Sequence, residues 1–287
     1  MFKKIAFILL LLLGSIGLGA VPALAWGPGF HIALGNSILS QLHLLSAPVA
    51  AIISQYELSF LYGCLSADIL VGKGKTLGPN HCHSWDAGLR LTQAVTSPEM
   101  QAYAYGYLTH LAADVIAHNY YVPNMLQLGL GRGKFSHVYV EMQADRKTDY
   151  SKDQLKSVIQ KAPKEADALL LSILRKSRMA FGLKKRIFKG GLVLSRQNTC
   201  DSSLDFMEKT FSLNHEGEYF HDMQALSRQV ALDCLGKFEQ SPVMQFDPMG
   251  YENLDLVKER KKGRNWKVRR TRSSAMFFIP AMCLLTL

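Results

Sequence analysis

Apolar side chains recur at three- and four-residue intervals along most of the chain after Trp26, and alternating strand-like runs are scarce. The pattern predicts helices over 31–45 and 47–61, split by Pro48, and a short one over 84–95. Ser97 and Pro98 form a good helix start, an N-cap hydroxyl followed by a first-turn proline. The helix they open is expected to run to about Tyr121 and to stop before Pro123, which lacks the amide a helix interior needs. A loop at 129–133 precedes a helix over 135–145. Further helices are expected over 151–161, 164–181, 203–211 and 218–238. There is no internal repeat. The economical architecture is all-α, a single multi-helix domain spanning 26–250.

Two segments stand outside this pattern. Residues 1–25 read as a secretory signal peptide: Lys3 and Lys4 give the positive start, 5–18 the apolar stretch, and Ala23-Leu24-Ala25 the small-x-small end. Cleavage there makes Trp26 the new N-terminal residue, so the chain is read as exported, secreted or periplasmic. The alternative is an uncleaved membrane anchor, which Gly14, Gly17, Gly19 and Pro22 weaken. Residues 251–287 are read as a disordered tail, basic over 258–272 and then apolar over 275–287, too short to span a bilayer. A basic and hydrophobic membrane-surface anchor is the functional alternative for this tail.

Composition sharpens the reading. A hydrophobic share of 48% over 287 residues can bury a core, which excludes disorder across the whole chain. The net charge of +10 suggests a polyanion partner until it is located. Lys3 and Lys4 carry two of those charges, and 258–272, with nine Lys or Arg and one Glu, carry the other eight. The body between is balanced, which argues against nucleic acid held by charge. Cys64, Cys82, Cys200, Cys234 and Cys283 are odd in number and lack zinc-knuckle spacing. One or two disulfides are possible, but a chain of this length does not need a disulfide framework.

The chemistry is concentrated in the histidines, seven of nine lying before residue 138. His110, Asp114 and His118 are spaced i, i+4, i+8 in an apolar stretch, so they share one inward helix face. Ionisable groups there are costly unless paired or metal-bound, so a structural His–Asp chain and a metal site both stay open. His137 and Glu141 form a second i, i+4 pair. Asn80-His81-Cys82-His83 offers up to three ligands, Asp68 ends an apolar helix, and His31 lies five residues after Trp26. Together these exceed the needs of one four-coordinate zinc and imply more than one ion. Nitrogen and carboxylate donors without a clear thiolate suit zinc.

The order of these pieces resembles the zinc-dependent phospholipase C family, which shares a trinuclear zinc site with the S1/P1-type nucleases: Trp, nearby His, helix-terminal Asp, His, His-x-x-x-Asp with a further His, then His-x-x-x-Glu. The resemblance covers roughly 26–145. It implies an all-α domain around up to three zinc ions. One ion would take Asp68, His83, His110 and Asp114. A second would take the Trp26 amine and carbonyl, His31 and a bridging Asp114. The third would take His118, His137 and Glu141. His83 is chosen over His81 because His83-Ser84-Trp85-Asp86 resembles the His-x-Trp-Asp of clostridial members. The four-residue gap from Asp114 to His118 is similar to that of the glycosylphosphatidylinositol-specific phospholipase D domain and shorter than in toxin-like members.

The resemblance implies phosphodiester hydrolysis with Asp68 as the catalytic residue, orienting water or taking its proton. The leading activity is a phospholipase C releasing diacylglycerol and a phosphorylated head group at a phospholipid or membrane-surface substrate, by a monomer. Alternatives are type D cleavage, an S1/P1-type nuclease, and a non-catalytic zinc-stabilised binding protein. Choline-preferring relatives carry a Glu and a Tyr where this chain has Gly29 and Ile69, so strict choline specificity is not expected. Tyr120, Tyr121 and Tyr139 are read as packing aromatics.

Overall fold

The computed structural model describes residues 26–70, 81–128, 134–194, 216–263 and 277–287; within them, the side chains at 128, 134–139, 187, 189–194, 216 and 261–263 lie outside the description. The signal peptide, Cys200 and the helix expected over 203–211 also lie outside the described residues. Everything described is helix, turn or loop, with no strand. No described helix is long and apolar enough to cross a membrane.

The elements in order are α1 (Pro28–Leu39), α2 (Ala47–Gln55), α3 (Glu57–Ile69), α4 (Trp85–Ala94) and α5 (Pro98–Ile116). A π turn (Ala117–Tyr121) joins α5 to α6 (Val122–Leu128). Then come α7 (Lys134–Lys147), α8 (Lys152–Lys161), α9 (Lys164–Ile173), α10 (Arg178–Leu194), α11 (Glu216–Lys237), α12 (Tyr251–Gly263) and the short α13 (Met282–Leu285).

Local chemistry explains several boundaries. Ser84, Ser97 and Ser151 each accept an amide hydrogen bond from the first turn of the helix they open, at 3.2, 3.3 and 3.1 Å. Pro48 sits in the first turn of α2. The second break falls instead at Tyr56, with φ −124° and ψ 47°, so α3 starts at Glu57 and reaches Ile69. The helix expected over 164–181 is two helices. The amides of Arg175 and Lys176 bond back to Ser172 and Leu171 with Arg175 at φ 52°, a left-handed C-terminal cap.

Helix α5 is the hub. It is buried on all sides except at its start and packs against α3, α11 and α4. Its approach to α3 is at backbone contact. A Cβ on Gly106 would lie 1.9 Å from the Phe60 carbonyl oxygen, and one on Gly63 2.1 Å from that of Tyr103. Only two glycines let the helix axes come this close.

Two expectations are corrected. Helical structure does not stop before Pro123: the π turn intervenes and α6 continues through it. The Asn119 carbonyl, which an amide at 123 would meet in an unbroken α-helix, accepts from Asn253 Nδ2 of α12 at 2.9 Å instead. The region after 250 is not a disordered tail where it is described. Tyr251–Gly263 is helical, with Leu254 and Val257 buried. The Asn124 side chain holds the 277–278 backbone, accepting from the Phe277 and Phe278 amides at 3.0 Å and donating to the Phe278 carbonyl at 2.8 Å. Phe278 and Leu284 enter the core. Apolar burial and a buried amide satisfied by backbone give these residues a place that charge patterning alone did not suggest.

Candidate metal centre

The Gly63–Gly106 crossing sets the site. Asp68 lies five residues beyond Gly63 on α3, and His110 and Asp114 lie four and eight beyond Gly106 on α5. His31 comes from α1 and His83 from the turn before α4. All five are buried. Candidate ligand atoms of His31, Asp68 and His110 lie within 4.8 Å of one another, as do those of His83, His110 and Asp114.

The distances have a telling pattern. His110 Nε2 is 3.1 Å from Asp114 Oδ2 and 3.8 Å from Asp68 Oδ1. His83 Nε2 is 3.2 Å from Asp68 Oδ1 and 3.4 Å from Asp114 Oδ2. His31 Nε2 is 3.4 Å from Asp114 Oδ1, and the His31 and His110 rings stack at 3.9 Å. Despite this proximity, His31 Nε2, His110 Nε2, Asp68 Oδ2 and both Asp114 oxygens make no aligned hydrogen bond. Buried polar atoms are ordinarily satisfied, so imidazole nitrogens and carboxylate oxygens facing one another unbonded point to a shared cation.

Outer hydrogen bonds aim the rings. His110 Nδ1 is 2.9 Å from the Cys64 carbonyl and His118 Nδ1 2.6 Å from the Pro248 carbonyl, which leaves Nε2 of each for the interior. His83 Nδ1 lies 3.3 Å from Cys82 Sγ, and the Tyr107 hydroxyl donates to the Cys82 carbonyl. His118 stands in the π turn, where Gly250, at φ 54°, approaches its carbonyl so closely that a Cβ would lie 2.4 Å away. Asp247 braces that loop by accepting from the Met249 and Tyr251 amides at 3.0 and 3.2 Å.

The electrostatics follow from burial. Burial pushes Asp68 up to about 6, against the nearby histidines that pull it down. It holds His83 down at about 4. Burial alone would lower His110, but Asp114 and Asp68 push it up to about 9. Burial alone would raise Asp114; His110 and His31 hold it well below the usual carboxylate range. Glu141 is raised by burial and by Asp68 and Asp114, which places it within electrostatic reach of both.

The remaining candidates fall as follows. His118 is buried and within electrostatic reach of Asp114 and His83, and Glu141 is buried on α7. His137 lies on α7 one turn before Glu141, but its side chain is outside the described residues, as is that of Tyr139. Trp26 is fully buried. Its indole donates to the carbonyl of Ala113, the neighbour of Asp114, at 3.1 Å, and stacks on Phe30 and Tyr121. Tyr120 and Tyr121 are buried packing residues. Half-buried His81 accepts from the His83 amide at Nδ1 and serves the turn. At Gly29 a side chain would meet the Tyr150 ring 2.1 Å away.

One contributor escaped the sequence reading. Asp145 accepts from the Phe30 amide at 2.8 Å and from the Tyr150 hydroxyl at 3.3 Å. Gly27, the N-cap of α1, has no side chain to offer, so Asp145 of α7 caps α1 from outside and fixes the segment that carries His31. The available signal was periodic: His137, Glu141 and Asp145 extend the i, i+4 series by one turn.

The family model described as zinc dependent phospholipase C matches residues 30–180. The chain belongs to the zinc-dependent phospholipase C family. The matched span holds every ligand candidate except Trp26. No curated protein and no solved structure matches the chain. Membership makes the protein a zinc-dependent, phospholipase C-like hydrolase with an all-α fold. The residues present fit zinc: the donors are imidazole and carboxylate, and burial keeps the Cys82 thiol protonated, pushed up to about 12.

Proposed function

We propose that this member of the family is an exported phospholipase C that hydrolyses phospholipid to diacylglycerol and a phosphorylated head group. The observation that carries the reading is the convergence of buried imidazole and carboxylate groups inside the family-matched span, in which His31 Nε2, His110 Nε2, Asp68 Oδ2 and both Asp114 oxygens make no hydrogen bond. In this reading Asp68, His83, His110 and Asp114 hold one zinc; Trp26, His31 and Asp114 a second; His118, His137 and Glu141 a third. The burial of Trp26 beside Ala113 supports a role for its backbone, which needs cleavage after Ala25 to provide a free amine.

Zinc supplies Lewis acidity: it makes water a nucleophile near neutral pH and neutralises charge on phosphoryl oxygens. The protein does the positioning. Asp68 Oδ1 faces His83 and His110, whereas Oδ2 is buried without a hydrogen bond. We assign Oδ2 to orienting the attacking water and accepting its proton. The water oxygen bonds to phosphorus, the bond from phosphorus to the diacylglycerol oxygen breaks, and that oxygen takes a proton from solvent, balanced when Asp68 later releases to solvent the proton it accepted. The Cys64 and Pro248 carbonyls keep His110 and His118 in the tautomer that presents Nε2 inward. The Tyr150 ring against Gly29 fills space that a side chain would otherwise occupy, which supports a head-group preference other than strict choline.

Phosphorus-31 NMR of a mixed phospholipid digest by the purified mature protein, with and without chelator, tests the proposal. Chelator-sensitive phosphomonoester head group is the expected product. Phosphatidic acid would mean type D cleavage, and no lipid product despite bound zinc would reject the phospholipase reading. Mass spectrometry of the mature protein tests the start at Trp26.

A further inference from the structure

The segment 277–287 presents two faces of the same chemistry to opposite sides. Phe278 and Leu284 point into the core, while Phe277, Ile279, Met282 and Leu285 are exposed, Ile279 and Met282 by 72% and 71%. No charged residue occurs anywhere in the segment. The Asn124 clamp, and a hydrogen bond from Gln229 Nε2 to the Leu287 carbonyl at 2.7 Å, hold its backbone in place. These apolar side chains are therefore displayed outward by a fixed backbone, and their exposure does not come from a loose end. Packing inward was available to the segment and is used by its other face.

One described cation borders this face. Arg260 of α12 stands over the Phe277 ring at 5.4 Å, and Leu256, also exposed, lies one turn earlier on the same side of α12. Residues 264–276, which join α12 to Phe277, lie outside the described residues; in the sequence, 258–272 carry nine Lys or Arg against one Glu. The surface also adjoins the metal centre in the chain. Asn124, which clamps the segment, lies six residues after His118, and Asn253 of α12 bonds to the π turn that carries His118.

We infer that the outer face of 277–287, with Leu256 and Arg260, is a docking surface for an anionic phospholipid bilayer. Exposed apolar side chains bordered by cations are the chemistry that enters a head-group boundary: the apolar groups bury among acyl chains and the cations meet lipid phosphates and carboxylates. The choice of a lipid partner rests on the phospholipid reading of the substrate; the surface itself does not.

Co-sedimentation of the full chain with vesicles of phosphatidylcholine, with and without about one-third phosphatidylserine, tests the inference. The wild type is expected to bind the anionic vesicles, less at high salt. The double variant Ile279→Asp, Met282→Asp is expected to bind at least about tenfold more weakly, because two apolar side chains no longer enter the bilayer. Its melting temperature and zinc content should match the wild type, since both side chains are exposed. Met179→Asp, at an 86% exposed site on α10, should bind like the wild type. Undiminished binding by the double variant, loss of binding in Met179→Asp instead, or no binding by the wild type would each overturn the inference. So would a wild-type dimer, seen by sedimentation velocity, that the double variant dissolves. Binding is scored apart from hydrolysis, so bound vesicles that yield no lipid product reject the phospholipase reading and leave the surface standing.

Discussion

Asp145 gives the sharpest test of how the scaffold holds the site. Its carboxyl accepts from the Phe30 amide and the Tyr150 hydroxyl and caps a helix whose own cap position is glycine. Burial pushes it up to about 6 from 3.8, more than those hydrogen bonds pull it down. In the folded chain the proton is therefore held to higher pH than in the unfolded chain. Stability from this group is present below about pH 4, is lost as pH rises to about 6, and is level above. Two pH units correspond to about 3 kcal/mol, an upper value, because the residue keeps an exposed edge. Asp145→Asn keeps an acceptor oxygen and removes the charge. Relative to the wild type it should be of equal stability near pH 4 and gain about 1–2 kcal/mol by pH 7. Asp145→Ala removes the acceptor at every pH and should fall below Asn by about 1–3 kcal/mol throughout, with less zinc bound because the start of α1 and His31 loosen. Urea denaturation of the three proteins across pH, with zinc counted by mass spectrometry, decides it. An Asn-minus-wild-type difference that does not change with pH would refute the electrostatic argument. Alanine equal to asparagine would refute the cap.

Four further outcomes follow from the geometry. Asp114→Asn should lose zinc and lower turnover more than about 100-fold, since Asp114 faces three histidines; retained zinc with full turnover would remove it from the ligand set. Asp68→Asn should keep most zinc and lose turnover by about 100-fold or more, and an unchanged rate would reject its role with the attacking water. Gly106→Ala should cost at least about 1–3 kcal/mol in thermal denaturation and reduce zinc content, because its Cβ would meet the Phe60 carbonyl at 1.9 Å and push α3 from α5. Gly250→Ala should cost about 1–3 kcal/mol, from a left-handed backbone and a Cβ 2.4 Å from the His118 carbonyl; unchanged stability would show that the 247–250 loop can move aside.

Where the sequence reading and the structure differ, the difference has a local cause. Periodicity located most helices between 28 and 173 and α11, but not most of α10, nor α12 or α13, and serine caps fixed the starts of α4, α5 and α8. It missed the π turn, because residues 106–121 are buried on every side, so the roughly 100° phase shift of one extra residue leaves no mark in the apolar pattern, and Pro123 reads as a stop. The acceptance of Pro123 depends on Asn253, 130 residues later in the chain, and no local rule reaches that far. The described parts of the tail, 251–263 and 277–287, were missed because a basic run dominates the local pattern, while the clamp on 277–278 is a single asparagine in α6.

The sequence by itself determined the all-helical class, the family, the zinc chemistry and the candidate ligands. These depend on residue type and short spacing, and i, i+4 pairs share a face in any α-helix. Tertiary structure decided which candidates meet. Two glycines bring α3 and α5 to backbone contact and so set Asp68 against His110 and Asp114. It also set His83 Nε2 within 3.2 Å of Asp68 and 3.4 Å of Asp114, and it enlisted Asp145 to cap α1. Such choices depend on distances between segments far apart in the chain, and those distances arise only when the helices pack.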